Sequence, residues 1–475
     1  MSRVAWRSWF ASRMAGAFLV VGTVAALWGH PETVSDSARD PGGGSAPAAR
    51  DPTTREYCGV REVSRLPLIL KDGREVYLRA TTFSASQGDV LLLGTPNYIF
   101  ERSPAGEIIG GEHNSVMGAF LGRDGPLRLV PAPVPATRVA GVRSHGRSDG
   151  GWNVVFAEMA EPYDSDTERD NTVAHLWYGV FDGSEWTELE QIPLPHRSII
   201  TESQVNSSSA LVHQDGELAW SLRADQADSW FNTVVVFERK GGNWSAEVLT
   251  GVRAAYSALT YSDSLGLIMV ASHPDPRGWD NPDALRDTLA GSAGAFDSNS
   301  LFLYVRDPTW RIMRKVLSGT DAPVHNPILT RKLSDGVMVW SSPPPGQIGV
   351  SFAQDLWAMP GDQLLRPGGE VIPIGSGAVR HMLVEAPDGR AIIVFEVPHS
   401  ATEGEVGFAQ ISSSGSVRRL GTLSNPFGLY SMFPVAPEAD EILLAGAALT
   451  QTEGVLTGAV TLFIRLRIEC ESDGP

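Results

Sequence analysis

One unit recurs along most of this 475-residue chain: an apolar strand, a turn marked by Asp-Gly or a relative, and a second strand of four to six consecutive apolar residues. Copies run Thr82–Gly94, Val139–Glu158, Ser208–Leu222, Ser257–Ser272, Ile328–Ser341, His381–Val397 and Met432–Ala448. The turns are Gln87-Gly88-Asp89, Asp149-Gly150-Gly151, Asp215-Gly216, Asp263-Ser264-Leu265-Gly266, Asp335-Gly336, Asp388-Gly389 and, without glycine, Glu438-Ala439-Asp440-Glu441. Each copy reads as a β-hairpin. A hairpin of this kind cannot bury both faces alone, so the copies have to pack on one another.

A second hairpin type lies between these units. His175–Pro193 is the clearest: Leu176–Phe181 has the aromatic and β-branched density of a strand, Asp182-Gly183 is a tight turn, and Trp186–Ile192 alternates apolar with polar residues. Thr233–Leu249 and Leu301–Leu317 repeat it, and Tyr98–Ile109, Leu356–Ile374 and Val406–Leu423 are weaker copies. Two hairpins in alternation give four strands per unit. From Thr82 to Met432, 350 residues span six intervals of about 58. Four antiparallel strands at that period predict an all-β protein, a β-propeller of seven four-stranded blades closed by pairing of the first and last strands. One long sandwich, or a pair, is the other architecture compatible with short strands.

The two cysteines bear on closure. Cys58 opens the folded region and Cys470 ends the strongly β-like run Val460–Cys470. A disulfide between them would lock a ring whose ends must meet, and such bonds persist in exported proteins. The N-terminus fits export: Arg3, Arg7 and Arg13 precede the apolar run Ala15–Leu27, which is too short to span a bilayer comfortably. Residues 1–29 are therefore expected to be a signal peptide or N-terminal anchor, residues 30–54 a Pro/Gly/Ser-rich flexible linker, and residues 55–475 one propeller domain. The expected location is secreted, periplasmic or cell-envelope. A net charge of −17 without a basic cluster argues against nucleic-acid binding, and no membrane association is expected beyond the anchor.

The Asp182-Gly183-Ser184-Glu185-Trp186 turn, with its relatives at Trp244 and Trp310, resembles the degenerate Asp-box hairpins of sialidase-like propellers. Against the family pattern Ser/Thr-x-Asp-x-Gly-x-Thr-Trp the first turn is shortened, the second lacks the Asp and the third lacks the Gly. In that family the Asp-box is structural, so the resemblance implies a fold. Sialidase catalysis, as the resemblance implies it, needs an arginine triad, a Tyr with a Glu partner and an acidic Asp. Arg138, Arg143, Arg253, Arg331 and Arg380 lie near the inner hairpins, and Tyr430 precedes the last. The family's Phe/Tyr-Arg-Ile-Pro motif is missing, and Arg197 in Pro195-His196-Arg197-Ser198 is a poor substitute.

Two insertions, Glu161–Asn171 and Pro274–Asn299, leave equivalent strand ends and would rise from one face of a propeller. Trp279, Asp280 and Asn281 in the second offer an aromatic platform with hydrogen-bonding neighbours; a lid packed on its own domain reads equally well. Asp164, Asp166, Glu168 and Asp170 alternate as Ca²⁺ ligands can, but Arg169 and His175 stand where an EF-hand loop has its Gly and its bidentate Glu. A solvated acidic loop fits better, and no metal or other cofactor is expected. Arg138, Asn206, Tyr256, Asn326, Arg380 and Tyr430 sit about ten residues before successive inner turns and would converge on one axial mouth. The expectation is an exported, non-catalytic binding or scaffold module for a glycan or protein ligand. The alternatives are a sialidase-like glycoside hydrolase and a purely structural envelope protein.

Overall fold

The computed structural model describes residues 56–472 apart from connecting segments: 103–107, 114–115, 136–138, 161–171, 250–255, 274–299, 318–323, 344–353, 400–403, 428–430 and some single or paired residues. The expected signal and linker, residues 1–54, lie outside it. Seven antiparallel sheets follow one another along the chain; in four of them four consecutive strands run from the innermost to the outermost, the first and third sheets each carry a short fifth strand, and the seventh is completed by the first strand of the chain. The second sheet shows the plan with Val139–Gly146, Trp152–Met159, Val173–Phe181 and Trp186–Ile192. Among the described residues the helices are short, one of them the turn Gly361–Leu364, and none is long and apolar enough to cross a membrane.

All seven repeated units are inner hairpins. Five of the seven turns hold a glycine at positive φ, as with Gln87 and Gly88 at 51° and 87° and Asp215 and Gly216 at 52° and 83°, whereas Gly336 lies where a Cβ would collide with Thr330 and the Lys332 carbonyl. The outer hairpins fall where the second motif repeats, with one correction. The outer hairpin of the first blade is Val116–Leu121 with Leu127–Pro131, not Tyr98–Ile109. The strand Asp89–Arg102 runs on past its blade and pairs there with Ile108–His113, which imitates a blade hairpin in sequence.

The second strands explain why the sheets form a ring. Runs such as Leu91-Leu92-Leu93 and Ile392-Ile393-Val394 are buried throughout, so both faces of each sheet are covered. The core accordingly divides into seven clusters, each between two adjacent blades. Phe120, Trp152 and Phe156 fill the gap between the first and second; Tyr178, Trp220 and Phe237 fill the next. The last cluster joins Val435, Leu443 and Phe463 of the seventh blade to Val76, Leu78 and Leu92 of the first.

Closure follows the predicted scheme. Glu56–Pro67, the first strand, is the outermost strand of the seventh blade and pairs antiparallel with Val455–Ser472. Cys58 lies opposite Cys470 in that register, and the two form a disulfide. The Asp182 turn is also accounted for. One oxygen of Asp182 accepts hydrogen bonds from the backbone of Ser184 and Glu185, which hold its carboxyl below the usual range. Trp186 packs on Phe156 and Phe181 and donates its indole N–H to the carbonyl of Pro131 in the preceding blade, 2.9 Å away. The motif fastens blade to blade.

Candidate functional site

The innermost strands of all seven blades enclose an axial cavity of about 320 Å³. Its walls include Thr82 and Ser84, Arg143 and Ser144, Ser208 to Val212, Tyr256, Asn326, Arg380 and Phe433. Registers fix which end is which. Tyr256 pairs with Ser272, and Arg380 with Glu396, at the ends of their hairpins remote from the inner turns. That end also carries the connections between second and third strands, where residues 161–171 and 274–299 attach.

At this mouth the strand His325–Leu329 is irregular. Its register with the next strand jumps between His325 and Ile328, and Asn326 has a φ of 45°. Asn tolerates the left-handed region better than most residues, and such strain is held only by its surroundings. Here the holder is His381 of the next blade, whose Nε2–H donates to the Asn326 carbonyl at 3.0 Å. Burial drives the His381 imidazole down to about 4, so the ring is neutral at pH 7. On one side Tyr256 lies beside His325, ring centroids 6.4 Å apart. On the other, Arg380 sits 4.6 Å over the Phe433 ring and 3.8 Å from the fully buried Glu396. A planar aromatic, an amide and a guanidinium thus share one sector.

Deeper in the channel Arg143 joins three blades. Its guanidinium donates to the carbonyls of Thr81 at 3.1 Å, Val142 at 2.9 Å and Ser208 at 3.3 Å. Burial, and then the like charge of Arg380, hold it down to about 10, so it stays cationic at neutral pH. Beside it the hydroxyl of Ser144 bonds those of Ser84 at 2.6 Å and Thr82 at 3.2 Å. Towards the other end, Arg331 pairs with Glu385 at 3.2 Å, and its backbone N–H donates to the same carboxylate. Burial raises the Glu385 carboxyl against that pairing. His145 and His213 lie edge to face, 5.6 Å apart; burial first, and then the Arg331 and His213 charges, keep His145 neutral.

Of the residues expected at the mouth, Tyr256, Asn326 and Arg380 line this one cavity. Arg138, Asn206, Trp279, Asp280 and Tyr430 lie outside the described residues, as do Arg253, Glu161–Asn171 with its acidic run, and Pro274–Asn299. Sequence reasoning placed Arg143 and Arg331 only near inner hairpins; both line the cavity, together with Ser84, Ser144 and Glu385, which it did not single out. The available signal was position alone, because all of them stand on the first strand of a unit or in its turn. Among the described residues no cluster of three or more His, Cys, Asp or Glu is arranged to hold a metal ion.

No protein-family model and no curated protein matches the chain. Solved structures with similar shape include a protein of unknown function from Dyadobacter fermentans, at 11% identity and a TM-score of 0.44, covering 86% of this chain and 100% of that one. Another is an α-L-arabinofuranosidase from Fusarium graminearum in complex with an iminosugar inhibitor, at 13% identity and 0.39, covering 69% and 92%. A third is a subtype N11 neuraminidase-like protein of A/flat-faced bat/Peru/033/2010 (H18N11), at 11% and 0.32, covering 89% and 96%.

Proposed function

We propose that this chain is an exported, non-catalytic binding module that holds a glycan or protein ligand at the mouth of its axial channel, on the insertion-bearing face. The observation that carries the reading is the convergence of Tyr256, Asn326 and Arg380, from three successive blades, on one cavity of ligand size. The strained Asn326 backbone supports it, because a conformation imposed from the next blade is a feature of sites that present a side chain. The disulfide supports export. The Asp182 turn, whose carboxylate caps its own backbone, supports placing the chain with the degenerate Asp-box, sialidase-like propellers.

Binding is favoured over glycoside hydrolysis by the charges in the channel. Hydrolysis of that kind uses two facing carboxyl groups. Among the described lining residues the one carboxylate, Glu385, is engaged by Arg331 at the far end. The test is a glycan-array and secreted-protein screen with the purified chain, followed by product analysis on whatever is captured. Capture without turnover is expected, weakened about tenfold in Tyr256→Ala and again in Asn326→Ala. Unchanged capture by both variants, or release of a hydrolysed product, would sink the proposal.

A further inference from the structure

We infer that the end of the channel beside the inner turns binds one divalent transition-metal ion, of the copper, nickel or zinc class, through the imidazoles of His145 and His213. The inference goes beyond the reading of the mouth, which lies at the opposite end.

Three observations carry it. The first is a lone pair that no group of the fold meets. His145 is buried on the innermost strand of the second blade, and its Nδ1 lies 2.6 Å from the carbonyl oxygen of Gly146. A carbonyl only accepts, so Nδ1 carries the proton and Nε2 the lone pair. That Nε2 is buried and has no hydrogen-bond partner among the described residues. A buried acceptor left unpaired costs free energy, and one kept in a fold is met by something outside the chain, a water or an ion. The arrangement is also the one that metal-bound histidines have. Their second nitrogen donates to a backbone carbonyl or carboxylate, which fixes the tautomer and leaves the first for the metal.

The second observation is distance. His213 stands on the short strand Val212–Gln214 of the next blade. Its ring centroid is 5.6 Å from that of His145, with the planes inclined at 77°. Nitrogens bound about 2.0–2.1 Å from one ion place two imidazole centres about 5 Å apart. A small turn of one ring therefore brings both onto a single ion. His213 is the ring that can turn, because it is half-buried and neither of its nitrogens is held by a hydrogen bond among the described residues.

The third observation is charge. Arg147 and Arg331 both bear on His213 and would repel a cation, but each is matched. Arg147 pairs with Asp149 at 2.6 Å, and Arg331 with Glu385 at 3.2 Å. Asp215, two residues along from His213, adds a further carboxylate that bears on the same imidazole. With the arginines offset, the nitrogen ligands select the ion. Imidazole suits copper, nickel and zinc, whereas calcium and magnesium take sets of oxygen ligands. No third His, Cys, Asp or Glu joins the two among the described residues, so water completes the coordination.

Isothermal titration of the intact chain, stripped with a chelator and exchanged into buffer at pH 7, tests this with copper, zinc and calcium chlorides. One copper or zinc ion per chain is expected, copper the tighter, with calcium about a hundredfold weaker or more. His145→Gln and His213→Ala should each weaken the ion at least about tenfold, the smallest loss seen when even an outer-shell partner of a metal ligand is removed. Copper on the unaltered chain should show nitrogen couplings from two imidazoles by electron paramagnetic resonance, and from one in either variant. His213→Ala, at the half-buried position, keeps the test open if His145→Gln fails to fold. No binding of copper or zinc, calcium binding as tightly, or an unchanged affinity in folded His213→Ala, which would place the ion on other histidines, would overturn the inference. The ligand screen at the mouth neither supports nor removes it.

Discussion

Reducing the Cys58–Cys470 bond should loosen the ring at its closing strand before it affects the rest. The disulfide spans 412 residues of sequence. The chain-entropy relation for a loop that long gives about 6 kcal/mol, against the 2–4 kcal/mol disulfides typically contribute. The lower figure is the better expectation, because a reduced chain still closes through the ladder from Glu56 to Pro67 and through the cluster joining the seventh and first blades. Unfolding a chain of this size carries an entropy on the order of 0.9 kcal/mol/K, so about 3 kcal/mol corresponds to a fall in Tm of about 3 °C. The local effect should be larger. Val63 and Leu66 are exposed, and the strand that carries them buries little else, so side-chain packing contributes little to its retention. Hydrogen exchange followed by mass spectrometry, on oxidised protein, on reduced protein and on Cys58→Ser/Cys470→Ser, should show faster exchange over 58–66. Exchange at Trp152–Met159, in the second blade, should not change. A Tm within 1 °C together with unchanged exchange over 58–66 would refute the idea that the bond holds the closing strand.

Two further predictions concern the inner strands. A Cβ on Gly146 would lie 1.7 Å from the carbonyl oxygen of Ala85 in the first blade, so Gly146→Ala should cost about 3 kcal/mol or more through forced separation of two blades; urea denaturation showing a loss below 1 kcal/mol would contradict it. The His381 imidazole titrates at about 4 in the fold, against 6.5 unperturbed. The folded state therefore binds fewer protons than the unfolded one across that window, and stability that is full above pH 6.5 falls as the pH drops to 4, by ~3 kcal/mol in total. Tm measured from pH 7 to pH 4 should decline less steeply in His381→Gln, whose amide can still donate to Asn326; equal slopes would remove His381 from the acid response.

The blade plan was legible because two signals coincide in five of the inner hairpins: a turn glycine at positive φ, and a second strand buried on both faces. Asp215-Gly216 before the strand Glu217–Gln226 shows both. The plan failed at Tyr98–Ile109 because one long strand with a partner outside its blade has the same local pattern as an outer hairpin. Cys58 and Cys470 were legible as a pair only once a ring was assumed, since nothing local links residues that far apart. The mouth was partly legible. Distance from the turn located Tyr256, Asn326 and Arg380, but could not show that His381, three-hundredths exposed and remote from the lumen by pattern, fixes the Asn326 backbone.

The rest of the lining was hidden for a geometrical reason. Both faces of every sheet are taken by the clusters between blades, so each inner strand turns an edge towards the channel. Alternation of residues along a strand distinguishes its faces and says nothing about that edge. An edge also exposes carbonyls that need donors. Arg143 supplies three, and Thr260 reaches the Thr330 carbonyl at 2.7 Å. Polar side chains on inner strands therefore have a structural duty even without a ligand.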